Sequence, residues 1–162
     1  MSDYDLEIRI IDALTESLEH YADLPRHKTV RYRRPYAVLP EDCPLLCVWL
    51  MEKTFTPITT NTFDSAINIG ISWQEQAVIE AQTLADNPRK AKELLEIMGR
   101  IQQHVRDLSV GDWSRSGGSV DEAYQLYPVR TDYFPPMSIE TGLVEGYLMT
   151  VRVNAQEDGN LL

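Results

Sequence analysis

Apolar residues recur at helical spacing near the start of the chain. Ile10, Ile11, Leu14, Leu18, Tyr21 and Ala22 form one stripe, and Glu7, Asp12, Glu16 and Glu19 lie off it. The pattern predicts an amphipathic helix, opened by Ser2 with Asp5 three residues on and stopped at Pro25. From Lys28 the period changes to two. Thr29-Val30-Arg31-Tyr32-Arg33 alternates as a strand, closed by Pro35. Alternation puts Arg31 and Arg33 on one face, toward solvent, and Val30 and Tyr32 on the other, toward a core. Pro40-Glu41-Asp42 marks a turn, and Leu45 to Met51 is a continuous apolar run expected of a strand buried on both faces. The Thr-rich stretch from Thr54 to Asn61 reads as a loop. Ile67, Ile69, Ile71 and Trp73 then alternate with Asn68, Gly70 and Ser72, predicting a third strand with one polar face.

Asn87-Pro88 is a helix start, a side-chain cap followed by proline at the first helical position. Ala91, Leu94, Leu95, Met98, Ile101, Val105 and Leu108 form the stripe of that helix, and Gly111 ends it. Gln74 to Asp86 reads either as a separate helix or as its lead-in. Asp112 to Asp121, with Gly117-Gly118, is expected to be the most flexible stretch. Tyr124 to Tyr133 and Leu143 to Val153 predict two further strands, joined by a long connection holding Pro135, Pro136 and Gly142. The order α-β-β-β-α-β-β implies an α+β fold: a mixed or antiparallel sheet of five strands with two helices packed on it. Residues 1–155 are expected to form a single domain and 156–162 a fraying tail.

Composition narrows the possible roles. The 162 residues include 15 basic and 25 acidic side chains, a formal charge of −10. That balance argues against wrapping nucleic acid, which takes positive charge to displace counterions. The acidity is uneven: Arg26, Lys28, Arg31, Arg33 and Arg34 fall in nine residues that contain no acid. No apolar run approaches the roughly 20 residues that span a bilayer. The acidic opening Met1-Ser2-Asp3-Tyr4-Asp5 is unlike an export leader, so a protein made and used without export is expected.

Candidate chemistry is sparse. Cys43 and Cys47 are predicted to point to one side of a strand, as buried thiols, since a zinc site wants more ligands and only His20, His27 and His104 are available. A Cys–His nucleophile is disfavoured by Glu41 and Asp42 beside Cys43, whose charges oppose a thiolate. There is no P-loop, G-x-S-x-G, G-x-G-x-x-G, H-E-x-x-H or EF-hand pattern. The expectation is a non-enzyme without cofactor or metal. The basic strand has three readings: a guarded sheet edge, a dock for an acidic protein, or a small nucleic-acid-binding module. Trp113 and Arg115, in the Gly/Ser loop, and Phe55, in the Thr-rich stretch, are candidate interface residues beside Arg31, Arg33 and Arg34.

One stretch carries a resemblance. Arg34-Pro35-Tyr36-Ala37-Val38-Leu39-Pro40-Glu41-Asp42-Cys43-Pro44-Leu45-Leu46-Cys47-Val48-Trp49-Leu50 resembles the tail terminator proteins of lambda-like, long-tailed phages. In them an Arg-Pro and an Ala-Val pair precede an acidic turn, and a proline opens a buried strand ending Val-aromatic-Leu. The likeness extends to Ile11-Asp12-Ala13-Leu14, to the loop before Ile67 to Trp73, and to the strand around Tyr147 to Val153. Residues 74–87 and 112–121 depart from the family pattern. The resemblance implies a virion protein assembled in the host cytoplasm, forming a hexameric ring at the head–tail junction. It would cap the tail tube, end tube growth and meet the head–tail connector, with DNA passing through an acidic lumen without specific binding. A related head–tail joining protein is implied equally.

Overall fold

The computed structural model describes residues 6–34, 40–76, 88–110, 120–139 and 142–158. In chain order these form α1 (Leu6–Glu19), β1 (Lys28–Arg31), β2 (Leu45–Pro57), β3 (Thr62–Gln76), α2 (Pro88–Val110), β4 (Ala123–Ile139) and β5 (Gly142–Asp158). A 3-10 turn covers Pro40–Asp42. The expected α+β class and element order hold. The strands make one mixed sheet ordered β1-β2-β3-β5-β4, in which β1 runs parallel to β2 and every other neighbour is antiparallel.

The core lies on one face of this sheet. Ile67, Ile69, Ile71 and Trp73 of β3 face Val153, Val151, Met149 and Tyr147 of β5 across the ladder. Leu46 and Val48 of β2 and Leu126 of β4 extend the same apolar surface. Each large side chain buried there stabilises the fold by roughly 1.5–3 kcal/mol. Both helices cover this face, α1 over β1 and β2 through Leu6, Ile10, Leu14 and Leu18, and α2 over β4 and β5. The α2 stripe is Leu94, Ile97, Met98, Ile101, Val105 and Leu108. Two residues expected in it differ: Ala91 and Leu95 are exposed, because the helix turns Ile97 inward instead.

The end of α1 meets α2 at a histidine. His104 stacks on Tyr21, with ring centroids 4.4 Å apart. Its Nε2 hydrogen-bonds the Ser17 hydroxyl. Nearby, Arg100 donates to the carbonyl of Asp23 at 3.1 Å. Burial pushes the His104 pKa below its ordinary value, against a smaller upward pull from Asp107.

The opposite face is covered in part. A parallel pair needs a crossover of about a dozen residues, and the chain between β1 and β2 leads through the 3-10 turn, which touches β3 and β5. Leu45, Cys47 and Trp49 point to this second face with Cys43 and Leu148 against them. Burial on both faces, expected for 45–51, therefore holds through Trp49, and Leu50 and Met51 emerge exposed. Gly70 lies under the Trp49 ring, where a Cβ would approach Cζ2 to 2.7 Å.

Several boundaries differ from expectation. α1 ends at Glu19, leaving Tyr21 and Ala22 beyond the helix, β1 ends at Arg31, and β3 runs from Thr62 to Gln76, past both ends of the expected Ile67–Trp73. The Thr-rich stretch taken as a loop is strand through Pro57, closing a hairpin in which Ile58 N donates to Thr62 O at 2.9 Å. Alternate threonines suit a pleated strand, and only Ile58 to Asn61 turns. β4 continues through Pro135 and Pro136 by a register shift between Phe134 and Met137, so the long connection is absent. β5 continues past the expected boundary at 155, because Gln156, Glu157 and Asp158 pair with Asp64, Phe63 and Thr62. Of the ambiguous stretch from Gln74 to Asp86, Gln74–Gln76 belong to β3, and Val120, at the end of the Gly/Ser loop, is buried. Residues 1–5, 35–39, 77–87, 111–119, 140–141 and 159–162 lie outside the described residues, and with them the expected helix start at Ser2, the rest of the ambiguous stretch, most of the Gly/Ser loop and the end of the tail.

Two glycines are expected to respond oppositely to alanine. At Gly146 a Cβ would sit 2.1 Å from the Trp73 carbonyl oxygen, so Gly146→Ala forces the β3–β5 backbones apart. It should cost at least about 2 kcal/mol. At Gly99, within α2, a Cβ meets nothing within 4 Å, and Gly99→Ala should stabilise by roughly 0.5–1 kcal/mol. Urea unfolding of both variants checks the pair.

The histidine gives a pH dependence. Because the folded pKa lies below the unfolded value, the unfolded chain binds the proton first as pH falls. Stability is full above the unfolded value, about 6.5, and declines as pH drops from there toward the folded pKa. Urea midpoints should fall between pH 7.5 and 5.5, and His104→Gln should flatten that slope. An unchanged slope in the variant would refute the assignment.

Candidate interaction surfaces

The basic strand is spent within the molecule. Register places Thr29 opposite Leu46 and Arg31 opposite Val48, the residues of β2 that face α1. Arg31 therefore turns toward the helix and Val30 outward, the reverse of the expected facing. The physical reason is the acidic flank of α1. Arg31 Nη1 lies 2.9 Å from Asp12 and 3.9 Å from Glu16, and its Nη2 lies 3.6 Å from Glu19. Thr29 donates to Glu19 at 2.6 Å. A valine here would leave three carboxylates facing an apolar neighbour, whereas arginine gives Asp12 a charge-assisted hydrogen bond and lies within ion-pair distance of Glu16 and Glu19.

Tyr32, expected in the core, is instead exposed and ends the strand. Its φ of 70° is left-handed, a conformation that costs a non-glycine residue roughly 1–2 kcal/mol. Two bonds hold it there: its N–H donates to Val48 O at 2.8 Å, and its hydroxyl donates to Asp12. The Asp12 bond, with burial, raises the Tyr32 pKa. Lys28 pairs with Asp42 at 3.2 Å on the surface. Arg33 and Arg34 are exposed beyond the turn. The nine-residue basic run thus splits, with Arg31 turned inward onto α1, Lys28 in a surface pair with Asp42, and Arg33 and Arg34 exposed.

The second surface is the β2–β3 arm. At its root, Lys53 Nζ bonds Glu7 of α1 and, at 2.9 Å, Glu157 of β5. Glu157 also accepts from the Ser65 hydroxyl. Burial pushes the Lys53 pKa down, but these bonds and charges outweigh it and raise it. The ammonium also lies 4.8 Å from the centroid of Phe55, which packs edge-on against Phe63 at 6.2 Å. Beyond this root the arm changes character. Residues 54–63 hold no charged side chain, in a chain that is 25% charged. Phe55 is 58% and Ile58 54% exposed at the outer end.

Of the two thiols expected to be buried on a strand, Cys47 is so placed, whereas Cys43 is half-buried and precedes β2. Cys47 is buried in the second-face cluster with Cys43 beside it. Burial pushes its pKa up to about 11, against a weaker lowering from Ser72, so it is a protonated thiol at neutral pH. His27 packs edge-on to Trp73 and donates from Nδ1 to the Pro25 carbonyl at 2.7 Å. Among the described residues no group of three or more His, Cys, Asp or Glu is placed to hold a metal ion, and no helix is long and apolar enough to cross a membrane. Of the six candidate interface residues, Arg31 is internal, Phe55 is exposed on the arm, and Arg33 and Arg34 are exposed near β1. Trp113 and Arg115 lie outside the described residues. The reading along the chain missed Ile58, Lys53 and Glu157. The uncharged run 54–63 was the available signal, and it points to Ile58 alone.

No family model and no curated protein matches the chain.

Replacing Lys53 tests how firmly the arm is seated. Lys53→Met keeps the aliphatic stem but leaves Glu7 and Glu157 as uncompensated charges. At pH 7 it should cost about 2 kcal/mol, below the loss for a fully buried pair because the site reaches solvent. The wild-type contribution is intact at neutral pH and is lost only as pH rises through the lysine range, since the folded pKa is raised. Chemical denaturation of the wild type and the variant at pH 7 checks this.

Proposed function

We propose that this chain is a structural subunit of a phage tail, a tail terminator or closely related head–tail joining protein that forms a ring on the end of the tube. The observation that carries the reading is the joint spacing from Arg34 to Leu50. The acidic turn Glu41-Asp42 and Pro44 lead into β2, a strand buried on both faces through Trp49 within the mixed sheet. A capping subunit needs surfaces, and the chain presents an exposed, uncharged arm on a body of charge −10. Six weak contacts on a tube of matching symmetry act together through effective concentration. A ring that closes leaves no site for further growth.

The nucleic-acid reading of the basic strand loses support, because Arg31 sits among Asp12, Glu16 and Glu19. A phosphate contact there would have to displace bonds already made. The −10 charge instead suits a lumen that lets DNA slide past.

The deciding experiment adds the purified chain to tail tubes polymerising from the cognate tube protein, with length and end structure read by electron microscopy. Growth should stop, and one end should carry a ring of added density. A chain that binds no tube at any concentration would sink the proposal. Tight DNA binding, lost with salt and with Arg33→Ala and Arg34→Ala together, would replace it.

A further inference from the structure

The sheet ends in two unlike open edges. β1 pairs only with Leu45–Val48 of β2, and the left-handed turn at Tyr32 then takes the chain off the sheet. From Leu50 to Pro57, β2 keeps β3 on one side, and no described strand lies on the other. At the far end β4 pairs with β5 on one side, and no described strand lies on the other. An open edge presents a row of unpaired N–H and C=O groups, a template for another strand.

Register irregularities cut both edges to short regular windows of similar length. In β2 the shift between Leu50 and Glu52 leaves Glu52 to Pro57 in step with β3. In β4 the shifts at Pro128/Arg130 and Phe134/Met137 leave Arg130 to Phe134 in step with β5. The β4 window lies between two register shifts and the β2 window between one shift and the strand end at Pro57, limits that fix where a partner strand can sit.

Charge points to the occupant. Residues 50–63 carry Glu52 and Lys53, and residues 123–133 carry Arg130 and Asp132, so each edge is neutral and the full −10 resides elsewhere. Two copies therefore repel body to body but not where these edges meet. Both edges also expose apolar groups, Leu50, Met51 and Phe55 on one and Val129 and Tyr133 on the other.

We infer that the outer edge of β2 on one copy docks against the edge of β4 on the next, joining sheets head to tail. This rests on the ring-subunit reading and adds which edges meet. The contact is heterologous, so it propagates around a ring, whereas β2 against β2 would stop at a pair. The Lys53 bonds to Glu7 and Glu157 hold the arm before docking, which lowers the ordering cost of association.

Light scattering of the full chain at increasing concentration tests this with two variants, Phe55→Asp on the arm and Val129→Asp on β4. Wild type should rise above its 18.6 kDa monomer mass, and each variant alone should associate at least about tenfold more weakly. An equal mixture should recover association but stop at a pair, because one good arm then meets one good β4 edge. Thr54→Asp and Arg130→Asp replace either variant if its circular dichroism shows misfolding. The inference is overturned by a wild type that stays monomeric, by variants that associate as wild type does, or by a mixture that stays monomeric. A monomer that still caps tubes would remove the edge contact and leave the terminator reading standing; failure to cap would remove the reading itself.

Discussion

The burial of one face of β3 is the constraint on which the rest of the molecule depends. Ile67, Ile69, Ile71 and Trp73 are covered only when β2 and β5 flank the strand and both helices lie over it. A two-stranded ribbon could not bury these side chains. Because α1 and α2 take that face, the connection from β1 to β2 is left to lead onto the other. There it meets Cys43, Leu45, Cys47, Trp49 and Leu148, a second, smaller core. Glycine at 146 permits the close β3–β5 approach and glycine at 70 admits the Trp49 ring, so both are consequences of the same packing.

Much of this was legible along the chain, for a definable reason. Strong periodicity marks elements whose neighbours are apolar, and the α1, α2, β3 and β5 stripes all belong to one core. The errors fall where a partner is polar. Arg31 was turned to solvent because alternation assigns charge outward, yet the surface it faces is the carboxylate flank of α1. Tyr32 was turned inward for the converse reason, and its φ of 70° cannot be read from a tyrosine codon by codon. Strand ends were misplaced at Pro57, Pro135 and Gln156, where composition suggests a break but a neighbouring strand supplies hydrogen bonds. The site was less legible than the fold. Phe55 was anticipated, but the Lys53–Glu157 contact spans about 100 residues of sequence and leaves no local signal.

Charge is distributed with a corresponding logic. The conspicuous cluster in the sequence, from Arg26 to Arg34, is partly an internal fastening: Arg31 holds α1 to the sheet edge, much as Arg9 and Glu122 hold α1 to the start of β4 at 2.8 and 3.0 Å. Basic residues that fasten an element are not available to a partner. The segment without charge is therefore more informative about association than the segment rich in it.

A hairpin edge with exposed aromatic and aliphatic side chains is ordinarily a liability, since a loose apolar strand edge invites promiscuous pairing. Here the root is tied to both the first helix and the last strand through a single ammonium, which is also close to the ring of Phe55. The arm is thereby held by the elements nearest the two ends of the described chain, so its seating reports that both have folded. An apolar contact surface that is firm only in the completed fold discriminates against partly folded copies. The body charge of −10 opposes contact between copies, and the uncharged arm is the segment where that opposition is least.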